Sequence, residues 1–176
     1  MKSLEFFKAL LKFGSIEQVI INNPALKTYD VIKFFDEIFN CLKQDKQDTY
    51  ELYTDGASKG NPGLSGVGYV IKKNSIVIDE TCKSIGVATN NIAEYTALIE
   101  GLKKLLELKI KSINVYSDSE LMVKQINGEY QVKNSKIKSL YAQVKDLAKQ
   151  FDYFSISHIP REKNRLADKL SKEAAK

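Results

Sequence analysis

The chain has 176 residues, 43% hydrophobic and 28% charged, the balance of one soluble globular domain with at most a small appendage. Its single histidine, His158, and its two well-separated cysteines, Cys41 and Cys82, exclude a multi-histidine metal centre, a zinc motif and a disulfide framework. The net charge of +5 lies wholly beyond residue 48, because residues 1–48 hold seven lysines against seven acids; the excess suits an anionic partner, and a solubilising lysine-rich surface explains it equally well.

No apolar run reaches the roughly 18 residues of a membrane span. The first residues carry lysines and acids inside their apolar stretch and lack a signal-peptide cleavage site. A cytoplasmic protein with no membrane contact is expected. Leu4, Phe7, Leu10 and Leu11 recur on one helical face. Gly14 stops that helix, and Ser15 with Gln18 makes a capping-box-like start for residues 16–22. Asn23-Pro24 breaks the chain, and a third helix is predicted from Thr28 to Leu42. Residues 1–42 thus read as a small all-α, helix-turn-helix-like module, and 43–49 as a polar linker. A DNA grip and a docking or dimerisation appendage are both open for it, although its third helix has few cations for phosphates.

From Tyr50 the pattern changes. YELYTD (50–55) alternates as a strand, and GASKGNPG (56–63) reads as a turn. Strands are predicted at 64–73 and 75–85, with the hairpin turn near Lys73-Asn74. The clearest helix covers 89–108. A strand at 113–118, a helix at 119–128 closed by Gly128, a helix at 135–151, a strand at 153–159 and a helix at 164–176 complete the order. Tight turns make the first three strands antiparallel, and strands reached through helices run parallel to their neighbours. The expected architecture is α/β: a mixed five-stranded sheet flanked by helices over 50–176.

Asp55 then ends the first strand, Glu94 sits in the first turn of the long helix, Asp118 ends the fourth strand, and Asp168 lies in the last helix. Asp55 and Asp118 close neighbouring parallel strands, where ligand sites form in such sheets. Converged carboxylates raise each other's pKa and call for a cation. An all-oxygen donor set selects Mg²⁺ or Mn²⁺ over zinc. Against this stands chance placement: a chain with 22 acids puts several at strand ends and helix starts, and Glu94 there would simply favour the helix dipole.

Four segments bear on that choice: YTDGASKGNPGLSGVGYVI (53–71), TNNIAEYTALIEGL (89–102), VYSDSELMVKQING (115–128) and HIPREKNRLADKLS (158–171). Together they closely resemble the type 1 ribonuclease H family, in order and each with one acid on the expected element. The resemblance covers about 50–176. It implies the ribonuclease H fold and hydrolysis of the RNA strand of RNA/DNA hybrids with two Mg²⁺ ions, Mn²⁺ being a possible substitute. It implies a metal quartet of Asp55, Glu94, Asp118 and Asp168, with Asp55 bridging both ions. Asp168 would complete the water-activating site, and Glu94 with Asp118 the site of the leaving 3′ oxygen. Two metals roughly 3.5–4 Å apart supply those two effects, and the products would carry 5′-phosphate and 3′-hydroxyl ends.

His158 matches a histidine that assists proton transfer or product release, and a structural end-of-strand role is the competing reading. Arg161 would contact the scissile phosphate or help release product, or is a surface arginine. Asn164 would cap the last helix near the site. Asn61 and Asn91 match residues that touch bases or sugars in the minor groove, and Gly56, Ala57 and Ser58 lie where backbone approaches the RNA 2′-hydroxyls. Thr89 and Asn90 match a pocket for a phosphate of the DNA strand. The chain departs from the pattern in Glu120, where several members have Gln. It also lacks tryptophan and any basic protrusion: only GEYQVKN (128–134) joins the two helices, with Lys133, Lys136 and Lys138 as possible phosphate contacts. Residues 1–48 do not resemble the family's hybrid-binding domain, and 1–42 would serve a protein or nucleic-acid partner. The other open readings are a catalytically silent module binding hybrids or structured RNA, and another nuclease of the same superfold.

Overall fold

A computed structural model of the chain describes residues 48–176, residues 16–22, and the single positions Lys12, Lys33, Phe35 and Asp36. The chain divides into two compact units, Met1–Gln47 and Asp48–Lys176. In the first, helix α1 covers Ile16–Ile21, as the capping pattern predicts. The helices expected over Leu4–Leu11 and Thr28–Leu42, and the helix-turn-helix reading with them, lie outside the described residues.

The second unit runs β1 (Tyr50–Gly60), β2 (Gly63–Lys73), β3 (Ile76–Ala88), α2 (Asn90–Glu107), β4 (Ser112–Ser117), α3 (Glu120–Ile126), α4 (Ser135–Ala148), β5 (Tyr153–His158), a 3-10 turn (Arg161–Lys163) and α5 (Arg165–Ala174). The sheet order is β3-β2-β1-β4-β5. β1, β2 and β3 are antiparallel neighbours, and β4 pairs in parallel with both β1 and β5. This is the expected mixed sheet.

Strand alternation separates its faces. Leu52, Ile71, Ile113, Val115 and Ile156 pack with Leu98, Leu102 and Leu105 of α2 and Ile137 and Val144 of α4. α5 seats on the other face, where β2 has no side chains in its way. A Cβ on Gly66 would meet the Ser171 carbonyl at 2.4 Å, and one on Gly68 the Ala167 carbonyl at 2.5 Å.

One expected element is corrected. GASKGNPG is mostly strand, because β1 continues to Gly60 and pairs with β2 from Gly56↔Val67 to Gly60↔Gly63. Only Asn61 and Pro62, joined by a cis peptide bond, form the turn. Gly60, at φ 99°, and Gly63, whose Cβ would meet the Lys59 carbonyl, serve that bend, whereas Gly56 serves the close approach of a helix backbone. β3 also runs to Ala88, beyond the expected end at 85, and α4 stops at Ala148 rather than 151.

Candidate active site

The parallel pairing of β1 with β4 stops at Thr54↔Ser117. Asp55 and Asp118 are the next residue on each chain, so both carboxylates stand at the same edge. Asp55 does not end its strand, contrary to expectation; it sits where β1 leaves β4 and continues on β2 alone. Glu94 reaches it because β1 has no side chain at Gly56: a Cβ there would meet Ala93 C and Glu94 N at 2.2 Å. Because α2 starts at Asn90, Glu94 lies one turn into it, not in its first turn. Asp168, in the first turn of α5, arrives with that helix on the glycines of β2.

Asp55, Glu94 and Asp118 line one depression with Gly56, Ala57, Ser58, Asn90, Arg161 and Lys172. Each acid has its own protein donor. Ser171 Oγ donates to Asp55 Oδ2. Asn164 Nδ2 donates to Asp118 Oδ1 at 2.6 Å and to the Thr54 carbonyl at 2.9 Å. Asn90 Nδ2 donates to Glu94 Oε1 at 2.8 Å. Asp168 is bound by Arg161, through Nη2 and through Nε at 2.9 Å, and by Lys172 Nζ at 2.7 Å.

Burial pushes Asp55 up to about 6, opposed by the Ser171 hydroxyl and reinforced by the charges of Asp118 and Asp168. Burial likewise pushes Glu94 up to about 7, with Asp55 and Asp118 adding to it. At Asp168 burial acts the same way, but the hydrogen bonds from Lys172 and Arg161 outweigh it and hold the carboxyl below its ordinary value. The site thus presents two carboxyls poised near neutrality beside one kept ionised by cations.

The donor set is hard oxygen throughout, which fits a divalent cation of the Mg²⁺ or Mn²⁺ kind. The uncompensated burial of Asp55 and Glu94 fits one as well. Among the described residues, no three His, Cys, Asp or Glu side chains stand close enough to share an ion: Asp55, Glu94 and Asp118 line one depression without converging on a point, and Asp168 is turned onto Arg161 and Lys172.

Asn164 does not cap α5 with its side chain; its amide is spent on Thr54 and Asp118. Arg161 is neither a bare surface residue nor remote from the acids, because it holds Asp168. His158 ends β5, exposed, in register with Ser117. Asn61, Thr89 and Asn91 line a second depression with Ile92 and the start of α4, at Asn134, Ser135 and Lys136. Asn90 links the two depressions: its backbone N–H donates to Asn61 Oδ1 at 3.3 Å while its side chain holds Glu94. Sequence reasoning missed Ser171, Lys172, Asn134 and Ser135. The first two stand three and four residues after Asp168, on the same helix face, which was the available signal.

The sheet order and the acids at the edge where β1 leaves β4 define a ribonuclease H-like domain. Residues 53–174 match the family model described as reverse transcriptase-like. A ribonuclease HI from Halobacterium salinarum is 35% identical over 139 residues, covering 78% of this chain and 70% of that protein. A bifunctional protein of Mycobacterium tuberculosis is 41% identical over 125 residues, 70% of this chain; the match spans only 34% of that longer protein. A ribonuclease H1 isolated from compost, solved in complex with an RNA/DNA hybrid, superimposes with a TM-score of 0.69 at 38% identity, covering 72% of this chain and 96% of the other. This chain belongs to the type 1 ribonuclease H family. No helix among the described residues is long and apolar enough to cross a membrane.

Proposed function

We propose that the chain is an endoribonuclease that hydrolyses the RNA strand of RNA/DNA hybrids, leaving 5′-phosphate and 3′-hydroxyl ends, with Mg²⁺ or Mn²⁺ as its cofactor and the cytoplasm as its compartment. The observation that carries the reading is the shared depression of Asp55, Glu94 and Asp118, brought from three separate segments, with Asp168 near enough for its charge to act on Asp55. The likeness to a ribonuclease H1 solved with a hybrid supports the substrate.

Asp55, Glu94 and Asp118 would hold the cations, with Asp168 joining once it leaves Arg161 and Lys172. Divalent ions so held lower the pKa of water and stabilise the leaving oxygen. Arg161 and Lys172, released from Asp168, then face the depression as phosphate-binding cations. Gly56, Ala57 and Ser58 offer close backbone approach to the RNA 2′-hydroxyls, and the Ser58 hydroxyl, 2.9 Å from the Ala88 carbonyl, steadies that strand end. Thr89 and Asn90, at the start of α2, would hold a backbone phosphate of the DNA strand, and Asn61 and Asn91, which share the second depression with Thr89, Asn134, Ser135 and Lys136, would touch bases or sugars in the minor groove. Exposed His158 is placed to exchange protons with solvent during product release. Residues 50–176 form the nuclease, 43–49 the linker, and 1–42 a module for a protein or nucleic-acid partner.

The test is cleavage of a labelled RNA/DNA hybrid beside matched RNA/RNA and DNA/DNA duplexes, with Mg²⁺ or Mn²⁺. Hybrid-selective cutting with 5′-phosphate products, lost in Asp118→Asn, is the expected result. Hybrid binding without cutting under either ion would leave the silent binding module as the function.

A further inference from the structure

We propose that Ser171 and Asn164 are positioning residues: buried, neutral donors that fix the orientation of Asp55 and Asp118 and thereby set how tightly the site takes a divalent cation. The inference rests on the reading of the site as a cation-dependent nuclease.

Ser171 is 0% exposed. Its backbone is pressed against Gly66 and Gly68 of β2, so α5 can neither shift toward the sheet nor turn freely there. Its hydroxyl has one proton and two acceptors in reach, Asp55 Oδ2 and the Asp168 carbonyl at 2.9 Å. An ionised carboxylate is the stronger acceptor. One oxygen of Asp55 is thus held from α5, which leaves the other to face the depression.

Asn164 is 1% exposed. Its two side-chain amide hydrogens go to Asp118 Oδ1 and the Thr54 carbonyl, and its backbone carbonyl accepts from Asp168 N–H at 3.0 Å. One residue thus ties down Asp118, the residue before Asp55, and the backbone of Asp168. Its Oδ1 and the neighbouring Thr54 Oγ1 are buried with no partner, an unfavourable arrangement for a residue serving packing alone. The neutrality of both donors is the point. A cationic donor orients a carboxylate but also neutralises it, as Arg161 and Lys172 do at Asp168. A hydroxyl or amide orients it and leaves its charge available to a metal.

The experiment is calorimetric titration of the full-length chain with Mn²⁺, without nucleic acid, for wild type, Ser171→Ala and Asn164→Ala. Thermal unfolding in EDTA accompanies each titration. Ser171→Ala is expected to bind Mn²⁺ roughly 10–100-fold more weakly with its EDTA melting temperature within a few degrees of wild type. Asn164→Ala is read the same way, should Ser171→Ala fold poorly. Affinity within twofold of wild type in a folded variant would overturn the inference while leaving hybrid cleavage by wild type intact. So would an affinity loss that merely tracks a loss of melting temperature. A wild-type chain that binds no Mn²⁺ would overturn the reading of the site itself, and this inference with it.

Discussion

Asp55 is 9% exposed, and burial pushes both it and Glu94 well above the ordinary carboxyl range, to about 6 and about 7. Between pH 4 and 7 the folded, cation-free chain therefore holds protons that the unfolded chain has released. Stability from these groups falls as pH rises through that window and stays reduced above it. Asp55→Asn should stabilise the protein in EDTA at pH 8 by on the order of 1–3 kcal/mol. The gain should vanish near pH 4, and denaturant unfolding at the two pH values checks it. The acids themselves were legible as residues because four spaced motifs each carry one. Their donors were not. The i+3 spacing of Ser171 from Asp168 puts it on the acid's helix face but does not say that its hydroxyl turns to Asp55, and Asn164 looks like an N-cap until its amide is seen to reach 110 residues back in sequence to Thr54.

β1 and α2 touch backbone to backbone at Gly56, and this contact rather than helix capping places Glu94. A methyl group at Gly56 would lie 2.2 Å from Ala93 C and Glu94 N, and no rotamer relieves a clash with backbone. Gly56→Ala should cost about 1–3 kcal/mol. It should also cut hybrid cleavage by about 100-fold, since displacements near 1 Å in a catalytic arrangement have that effect. Single-turnover rates and melting temperatures measured together test the pair of expectations. The same contact explains why this stretch was misread. Glycine, serine and proline in a cluster signal a turn, but here Gly56 to Gly60 are strand positions, and Gly56 is the one kept bare for α2 to approach. The β2–β3 hairpin came closer: its turn is Asn74 and Ser75, at φ 51° and 68°, one residue on from the expected Lys73-Asn74.

At the scale of the molecule, the strand directions followed from element order, because tight turns make neighbours antiparallel and helical crossovers make them parallel; the full order β3-β2-β1-β4-β5 came from the structure. The seating of α5 across β2, which brings Asp168 and Ser171 to Asp55, had no such rule behind it and depends on glycines 100 residues earlier. The exposed link between α3 and α4, at 127–131, divides the second unit unequally in chemistry. Asp55, Glu94 and Asp118 lie before it. Asp168, Asn164 and Ser171 lie after it, on elements that rejoin the first part through the six-residue β4–β5 ladder, the α4 seam and the β2 glycines. Each half alone lacks what the other supplies. Two separately produced fragments, ending and beginning at Gly128, should each be inert and should regain hybrid cleavage when mixed, steeply with concentration. Attached to two other proteins, they would become a coincidence detector whose output is a cut RNA strand.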